Sequence, residues 1–515
     1  MPIVQSGSIN TTAQIVPNLY VQIVPPSVTL LNGVPTNILG VVGTATWGPV
    51  NAPTIIGSAA AYAAQFGQIQ ARKYDMGTAL AAAVLQGANN FRCVRVTDGT
   101  DVAASTTFLD TAGTPALGLT VTSKYTGSLA NAAQVTLASG TAASTTKVTV
   151  TMPGLVPESF DNIGGTGNAL WVNIANAINL GVSGQRGPSQ FVVATAAAST
   201  AAPALTAKTL TGGTDGATTI TASVLVGVDT VPRKGMYALR NTATSIAMLA
   251  DADDSTQWSL QVAYGLSEGT YMIMTGPSGD TISNATSVKA SAGIDSYSAK
   301  LLFGDWIYFN DTVNNQIRLI SPQGFSAGRL ANLSPEQSSL NKPMYGIVGT
   351  QKSTQNLNYS DAELTQLGIA GIDVITNPIP AGNVFGARFG HNSSSNAVTH
   401  GDNYTRMTNY IASTLNAGMG QYIGKLQSTT VRRQAAATIS AFLEALTGQG
   451  MIGSADGTQP YSVQIDNNNN PQNRVALGYM QADVKVRYLS VIEVFLVNLE
   501  AGQSVAINRQ AVALA

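Results

Sequence analysis

Short apolar runs that alternate with helix patterns set the tightest limit on how this chain can fold. Asn37 to Val42 reads as a buried strand. Ser58 suits a helix N-cap, and the pattern behind it runs through Phe66 and stops at Gly67. Met76 to Gln86 reads as a second, alanine-rich helix and Phe91 to Val96 as another strand. The same rhythm returns after Gly216, with strands expected at Ser245 to Leu249, Tyr271 to Met274, Leu301 to Phe309 and Ile372 to Ile375. Helices are expected between them at Thr256 to Leu266 and Asp361 to Leu367, the latter opened by a capping box of Ser360 with Glu363. Alternation of this kind predicts an α/β core, a largely parallel sheet covered by helices.

The rhythm breaks once. Between residues 101 and 215 Thr, Ala, Gly and Ser dominate and only nine residues are charged. Residues 146 to 151 and 190 to 194 read as strands and Asn168 to Leu180 as a helix, so this stretch is expected to be an inserted β-rich domain with a boundary near Gly212-Gly213.

The last part of the chain is expected to be an α+β domain. Val431, Ala435, Ile439, Phe442 and Leu446 place one apolar stripe on a helix that Gly448 would end. Tyr461 to Asp466 and Val475 to Val497 read as strands, with Asn467 to Asn470 as the turn between them. The two ends read as arms. Leu19, Tyr20, Val21, Gln22, Ile23 and Val24 form a short strand closed by Pro25-Pro26, because proline has no N–H to donate. Beyond Gly502 a tail with Val505, Ala506, Ile507 and Asn508 is too short to build a core of its own. The division expected is an arm at 1–26, core at 27–100, insertion at 101–215, core at 216–390, C-terminal domain at 391–502 and arm at 503–515.

Only 10% of the residues are charged and the net charge is −1. A surface so neutral suits a protein covered by neighbours, and it gives no electrostatic reason to expect nucleic acid as a partner. No run approaches the ~18 apolar residues of a membrane span, and no secretory leader is visible, so no membrane insertion is expected. Cys93 is the only cysteine, and its setting in Phe91 to Val96 reads as an inert core thiol.

The search for chemistry gives little. Gly424-Lys425 resembles the end of a phosphate-binding loop, but Met419 stands where its first glycine belongs and Leu426 where a Ser or Thr would hold Mg²⁺. Gly165 and Gly167 lack a third glycine, since Leu170 occupies that place, and read as a turn outside any clear strand–turn–helix. His391 and His400 are the only histidines, in an Asn/Ser/Gly-rich stretch that reads as an exposed loop, with no nucleophile elbow. With Asp402 they make a weak metal site. Neither a catalytic residue nor a cofactor or metal is expected.

Several segments together resemble the contractile tail sheath proteins of bacteriophages, a family shared with the sheaths of R-type bacteriocins and type VI secretion systems. Pro17-Asn-Leu-Tyr-Val-Gln-Ile-Val resembles the family's opening "PGVYVEE" strand, with Asn18 and Leu19 in place of Gly-Val. The stretch from Gly33 to Pro53 resembles "GVxTSIxAFVGxAxxGPxNxP". Phe66-Gly67 and Phe91 to Val96 match in place and spacing. Gln366-Leu-Gly-Ile-Ala-Gly-Ile resembles "LNxxGIN", and Val431-Arg432-Arg433 the "INVRRL" that opens the C-terminal helix. Residues 101–215 match nothing in the family, which decorates a common core with variable outer domains.

The resemblance implies a structural subunit rather than an enzyme. Such subunits stack as hexameric rings in a helix around a tail tube, meet baseplate and tail terminator proteins, and contract to drive the tube through a host envelope. It places the chain in a virion tail assembled in the bacterial cytoplasm, with both ends exchanging strands between subunits. Lys425, Arg432 and Arg433, grouped where cations oppose the helix dipole, become candidates to face the tube. Two other classes compete: a secreted subtilisin-like α/β hydrolase, and a surface-layer or adhesin subunit, which the Thr/Ser-rich middle favours.

Overall fold

A computed structural model describes residues 31–499 and 501, together with the backbone of Ile3–Val4 and Val21–Gln22. Strands Ala299–Leu302, Tyr271–Thr275, Ile246–Leu249, Leu39–Gly43 and Phe91–Arg95 lie side by side in that order, all parallel. Thr54–Ile56 completes the sheet antiparallel to Phe91–Arg95. The four strands from Ala299–Leu302 to Leu39–Gly43 are buried along their whole length. Burial along the whole strand is what a sheet covered on both faces produces. Alternate residues serve two cores. Leu39, Val41, Ile246, Met248 and Ile273 meet Met76, Leu80 and Leu330 on one face. Val42, Leu249, Met272, Met274 and Leu301 meet Trp258, Tyr264 and Leu367 on the other.

Helices Ala59–Phe66, Met76–Leu85 and Gln323–Asn332 cover the first face. Ser58 caps the first as expected, its hydroxyl accepting from the Ala61 N–H. Gln323–Asn332 is not visible in the sequence pattern because Gly324 and Gly328 look like breakers. They permit close packing instead: a Cβ on Gly328 would lie 2.4 Å from the Ala83 Cα, and one on Gly324 2.7 Å from the Ala79 carbonyl oxygen. Trp258–Glu268, Ile282–Ser291 and Asp361–Ile369 cover the second face. The expected capping box at Ser360 and Glu363 is formed on both sides. The single strand read over Leu301 to Phe309 is two strands. Gly304 turns the chain between them, and Ile307–Asp311 becomes the centre of a separate antiparallel sheet with Gln316–Ile320 and Ile347–Thr350.

The nearly uncharged stretch makes two antiparallel sheets, one α-helix and a short 3-10 turn at Ser128–Ala132. Glu158–Ile163, Thr146–Thr151, Gln134–Ser139 and Ala207–Thr209 form one sheet, and Val192–Ala196, Leu117–Ser123 and Ser105–Leu109 the other. Thr146–Thr151 alternates buried and half-buried residues, the period of two that a one-faced sheet imposes. Helix Asn168–Leu180 supplies Trp171, Ile174 and Ile178 to a cluster with Phe108, Val148 and Phe160. One residue of that cluster, Trp47, comes from the loop after Leu39–Gly43, and its ring centroid lies 5.0 Å from that of Tyr125. The fully buried Arg95 crosses the same junction, donating to the Gly48, Thr126 and Asp215 carbonyl oxygens.

In the C-terminal part, helices Asp402–Met419 and Thr429–Gly448 pack Met407 and Ile411 against Ile439, Phe442, Leu443 and Leu446. The first of these helices is not signalled by its sequence. Its buried residues include Asp402, Thr405 and Arg406 as well as apolar ones, so no clean stripe stands out. Tyr461–Gln464 pairs antiparallel with Asp483–Val486. The rest of the expected strand from Val475 to Val497 is absent. Its first residues belong to the short helix Gln472–Ala476, and residues 487–499 have no regular structure. No helix among the described residues is long and apolar enough to cross a membrane.

Candidate assembly surface

The C-terminal helices are joined to the sheet by buried charge. Lys300, in the edge strand Ala299–Leu302, is fully buried, and its ammonium lies 2.6 Å from Asp373 and 3.1 Å from Asp402. The Tyr271 hydroxyl donates to the Asp402 carboxylate at 2.5 Å and the Ser339 hydroxyl donates to it as well. Burial alone would push the Asp402 carboxyl up, but Lys300 and these hydrogen bonds hold it below its ordinary value. Burial likewise opposes the Lys300 charge, and the two carboxylates keep its pKa raised. One turn on, Arg406 donates to the Leu333 and Ser334 carbonyls at 2.7 and 2.9 Å. The helix start is thereby fixed to the sheet by paired, hydrogen-bonded groups, the arrangement that buried charges require.

Beyond this anchor the surface is unfinished. Among the described residues Tyr461–Gln464 and Asp483–Val486 form a sheet of only two strands, with both outer edges unpaired. One face rests on the helices through Tyr461, Val463, Val484 and Val486. Beside it lies a groove of about 380 Å³, lined by Leu415, Met419, Tyr422, Ile439, Met480 and Val484. The irregular stretch that follows is exposed and apolar: Ile492, Val494, Leu496 and Leu499 stand in solvent, and Phe495 is 82% exposed. Free edges and a contiguous apolar patch mark surfaces that other chains cover.

The residues singled out in the sequence fall around this surface unevenly. Val21 and Gln22 pair in parallel with Ile3 and Val4. Leu19, Tyr20, Ile23, Val24, Val505, Ala506, Ile507 and Asn508 lie outside the described residues. Lys425 is exposed, with its ammonium 4.7 Å from the centroid of the Tyr422 ring. Arg432 donates to the Asn467 side-chain oxygen at 2.8 Å, and Arg433 is exposed. The helix that carries the two arginines, Thr429–Gly448, has no acidic residue in its first turn.

The histidine loop is better built than its composition suggests. Asn392 and Ser393 are fully buried, and the Asn392 side chain donates to the Thr399 carbonyl at 2.7 Å. A bridge between His391 and Gly401 sets the two imidazoles side by side, ring centroids 3.8 Å apart. Their neighbour is Glu493, not Asp402, with Oε1 at 3.1 Å from His391 Nε2 and 3.6 Å from His400 Nε2. Burial, with the adjacent His391, lowers the pKa of His400. Among the described residues both rings meet the Glu493 carboxylate, and no Ser or Thr hydroxyl hydrogen-bonds either of them. The turn at Gly165 and Gly167 does link strand Glu158–Ile163 to helix Asn168–Leu180, a correction to the sequence reading. Cys93 is fully buried, and burial pushes its thiol up.

Neither a family model nor a curated protein matches the sequence. Solved structures do match the fold. A sheath tail protein from Listeria innocua aligns with a TM-score of 0.60 at 14% identity, over 85% of this chain and 90% of that one. A sheath tail protein from Desulfitobacterium hafniense aligns at 0.57 and 14%, over 87% and 94%. The sheath of PVC, an extracellular contractile injection system, in its contracted state aligns at 0.54 and 12%, over 96% and 99%. At such identities the likeness is one of fold, and it spans nearly the whole of each partner. This chain has the mixed α/β fold of tail-sheath proteins, in agreement with the resemblance carried by the segments at Pro17, Gly33 and Val431.

Proposed function

We propose that the protein is the structural subunit of a contractile tail sheath, of the bacteriophage kind, that polymerises as a helix of hexameric rings around a tail tube and contracts to drive it through a host envelope. The observation that carries this reading is the unfinished C-terminal surface, a two-stranded sheet with free edges beside an exposed apolar segment, on a chain with the sheath fold. A strand from a neighbouring subunit would satisfy those edges through main-chain hydrogen bonds whatever its side chains. Leu19–Val24 and Val505–Asn508 are the strands assigned to that exchange. A heterologous contact repeated without closing makes a tube, and two packings of the same subunits separated by a modest free energy supply the stroke.

In this assembly Lys425, Arg432 and Arg433 face the tube protein, residues 101–215 face outward, and baseplate and terminator proteins close the ends. The test is electron microscopy of the purified chain and of two truncations, one lacking residues 1–24 and one lacking residues 503–515. The full chain is expected to give long striated tubes, and each truncation a folded protein that gives none. Dispersed particles or flat arrays from the full chain would refute the reading; tubes from either truncation would refute the strand exchange. Charge reversal at Arg432 and Arg433 is expected to leave tubes of sheath alone intact and to weaken joint assembly with tube protein. Deletion of Thr100 to Thr214, replaced by a short Gly/Ser bridge, would uncover Trp47, so it is to be combined with Trp47→Ser. Tubes of reduced outer diameter are then expected.

A further inference from the structure

We infer that His391, His400 and Glu493 form a binding site for a divalent transition-metal cation of the zinc class. The three side chains each place one ligand atom within 4.8 Å of the others. Two imidazole nitrogens and one carboxylate oxygen are a donor set that suits Zn²⁺. At zinc–ligand bonds of about 2.0–2.1 Å, tetrahedral ligands stand roughly 3.4 Å apart. The two distances from Glu493 Oε1 to the imidazole Nε2 atoms, 3.1 and 3.6 Å, bracket that value. Two of the three donor separations thus already match a tetrahedral site, and the third, between the imidazoles, lies within 4.8 Å.

The site is also held in place. The bridge between His391 and Gly401 and the buried Asn392, which donates to the Thr399 carbonyl and to the Thr405 hydroxyl at 2.9 Å, fix the loop that carries both histidines. Phe389 stacks against His391, with ring centroids 5.9 Å apart. Glu493 alone comes from the irregular segment 487–499 and is partly open to solvent. A bound cation would clasp that segment to the loop and keep a fourth position open, for water or for a donor from another molecule. Nothing in this inference depends on the sheath reading.

The experiment uses the full chain without a histidine tag, stripped with chelator and dialysed, and titrated with Zn²⁺ by calorimetry and with Co²⁺ by visible absorption. One equivalent is expected to bind, with intense d–d bands characteristic of four-coordinate cobalt. H391A/H400A should abolish binding. E493Q, at a partly exposed side chain, should weaken it on the order of tenfold or more while the far-ultraviolet spectrum and melting temperature without metal stay unchanged. The inference is overturned if the wild type binds no stoichiometric metal. It is equally overturned if the double variant binds Zn²⁺ as the wild type does, because the chain has no other histidine.

Discussion

The insertion and the sheet it interrupts hold themselves together by different means. Between Ser105 and Leu210 the core is Phe108, Val148, Phe160, Trp171, Ile174 and their apolar neighbours, and each contributes whether or not another is perfectly placed. Where the sheet meets helix Asp402–Met419, Lys300, Asp373 and Asp402 are wholly buried charges. Each is tolerable only because the others are present. Loss in the first region is graded; loss in the second is conditional on the partners left behind.

The largest effect that sharpens this contrast is expected from Lys300→Met. Two buried carboxylates would lose their counter-charge, at a cost of about 3–5 kcal/mol. Adding Asp373→Asn and Asp402→Asn is expected to restore much of the loss. Denaturant unfolding of the single and triple variants measures both, and a Lys300→Met cost below about 1 kcal/mol would break the comparison. Trp171→Ala should cost a similar amount, about 3–5 kcal/mol, but locally. Its ring fills the space over Gly118 and its indole donates to the Ala201 carbonyl at 2.9 Å. Hydrogen exchange is expected to lose protection across residues 105–210 and to keep it in Ile246–Leu249 and Tyr271–Thr275. Loss in both would mean that the two regions unfold as one.

A smaller, pH-dependent effect is expected at Asp75, which caps helix Met76–Leu85 and is fully buried. One carboxylate oxygen accepts from Gln70 and Thr78, while the other has no partner among the described residues. Burial raises its pKa to about 6. A raised carboxyl pKa favours the protonated folded form, so its stability is present below the unfolded value near 4 and is lost as pH rises through 6. The stability of the wild type minus that of Asp75→Asn should therefore fall by up to about 3 kcal/mol between pH 4 and 7. A flat difference would contradict it. Ser360→Ala, which removes a solvent-exposed capping box, should cost about 1 kcal/mol by thermal melting at any of these pH values. It is the local contribution against which the buried network is to be judged.

How much of this was legible in the sequence follows from what each element depends on. Helix Asn168–Leu180 and the caps at Ser58 and Ser360 depend on neighbours a few residues away. They and the apolar runs at Leu39–Gly43, Phe91–Arg95, Ile246–Leu249 and Tyr271–Thr275 stand where their patterns put them. Of the strand expected over Ile372 to Ile375, by contrast, only Asp373 bridges the sheet, at Leu302, and Ile375–Thr376 pairs elsewhere with Gly386–Ala387. Gln323–Asn332 was hidden because its glycines are costly to a helix alone and useful only against Ala79 and Ala83. Val475 to Val497 has the composition of a strand, but a strand exists only where a partner lies alongside, and only Asp483–Val486 has one. Lys300, Asp373 and Asp402 are far apart in the chain, and nothing local marks them as a set. The same holds for Glu493, whose place beside the two histidines depends on the path of an irregular segment. The apolar run around it was visible; that it stays uncovered was not.

Trp47 gives the insertion a third point of attachment. The chain enters and leaves through neighbouring segments, with Val102 bridged to Thr214, and two adjacent crossings alone would make a hinge. Trp47, lodged beside Tyr125, and Arg95, bonded to Thr126 and Asp215, add contacts beyond those crossings. Three points define a plane. A torque applied to the insertion is thus delivered to the ends of Leu39–Gly43 and Phe91–Arg95, the last two of the five parallel strands, and the insertion turns with them as a lever arm rather than swinging as a pendant.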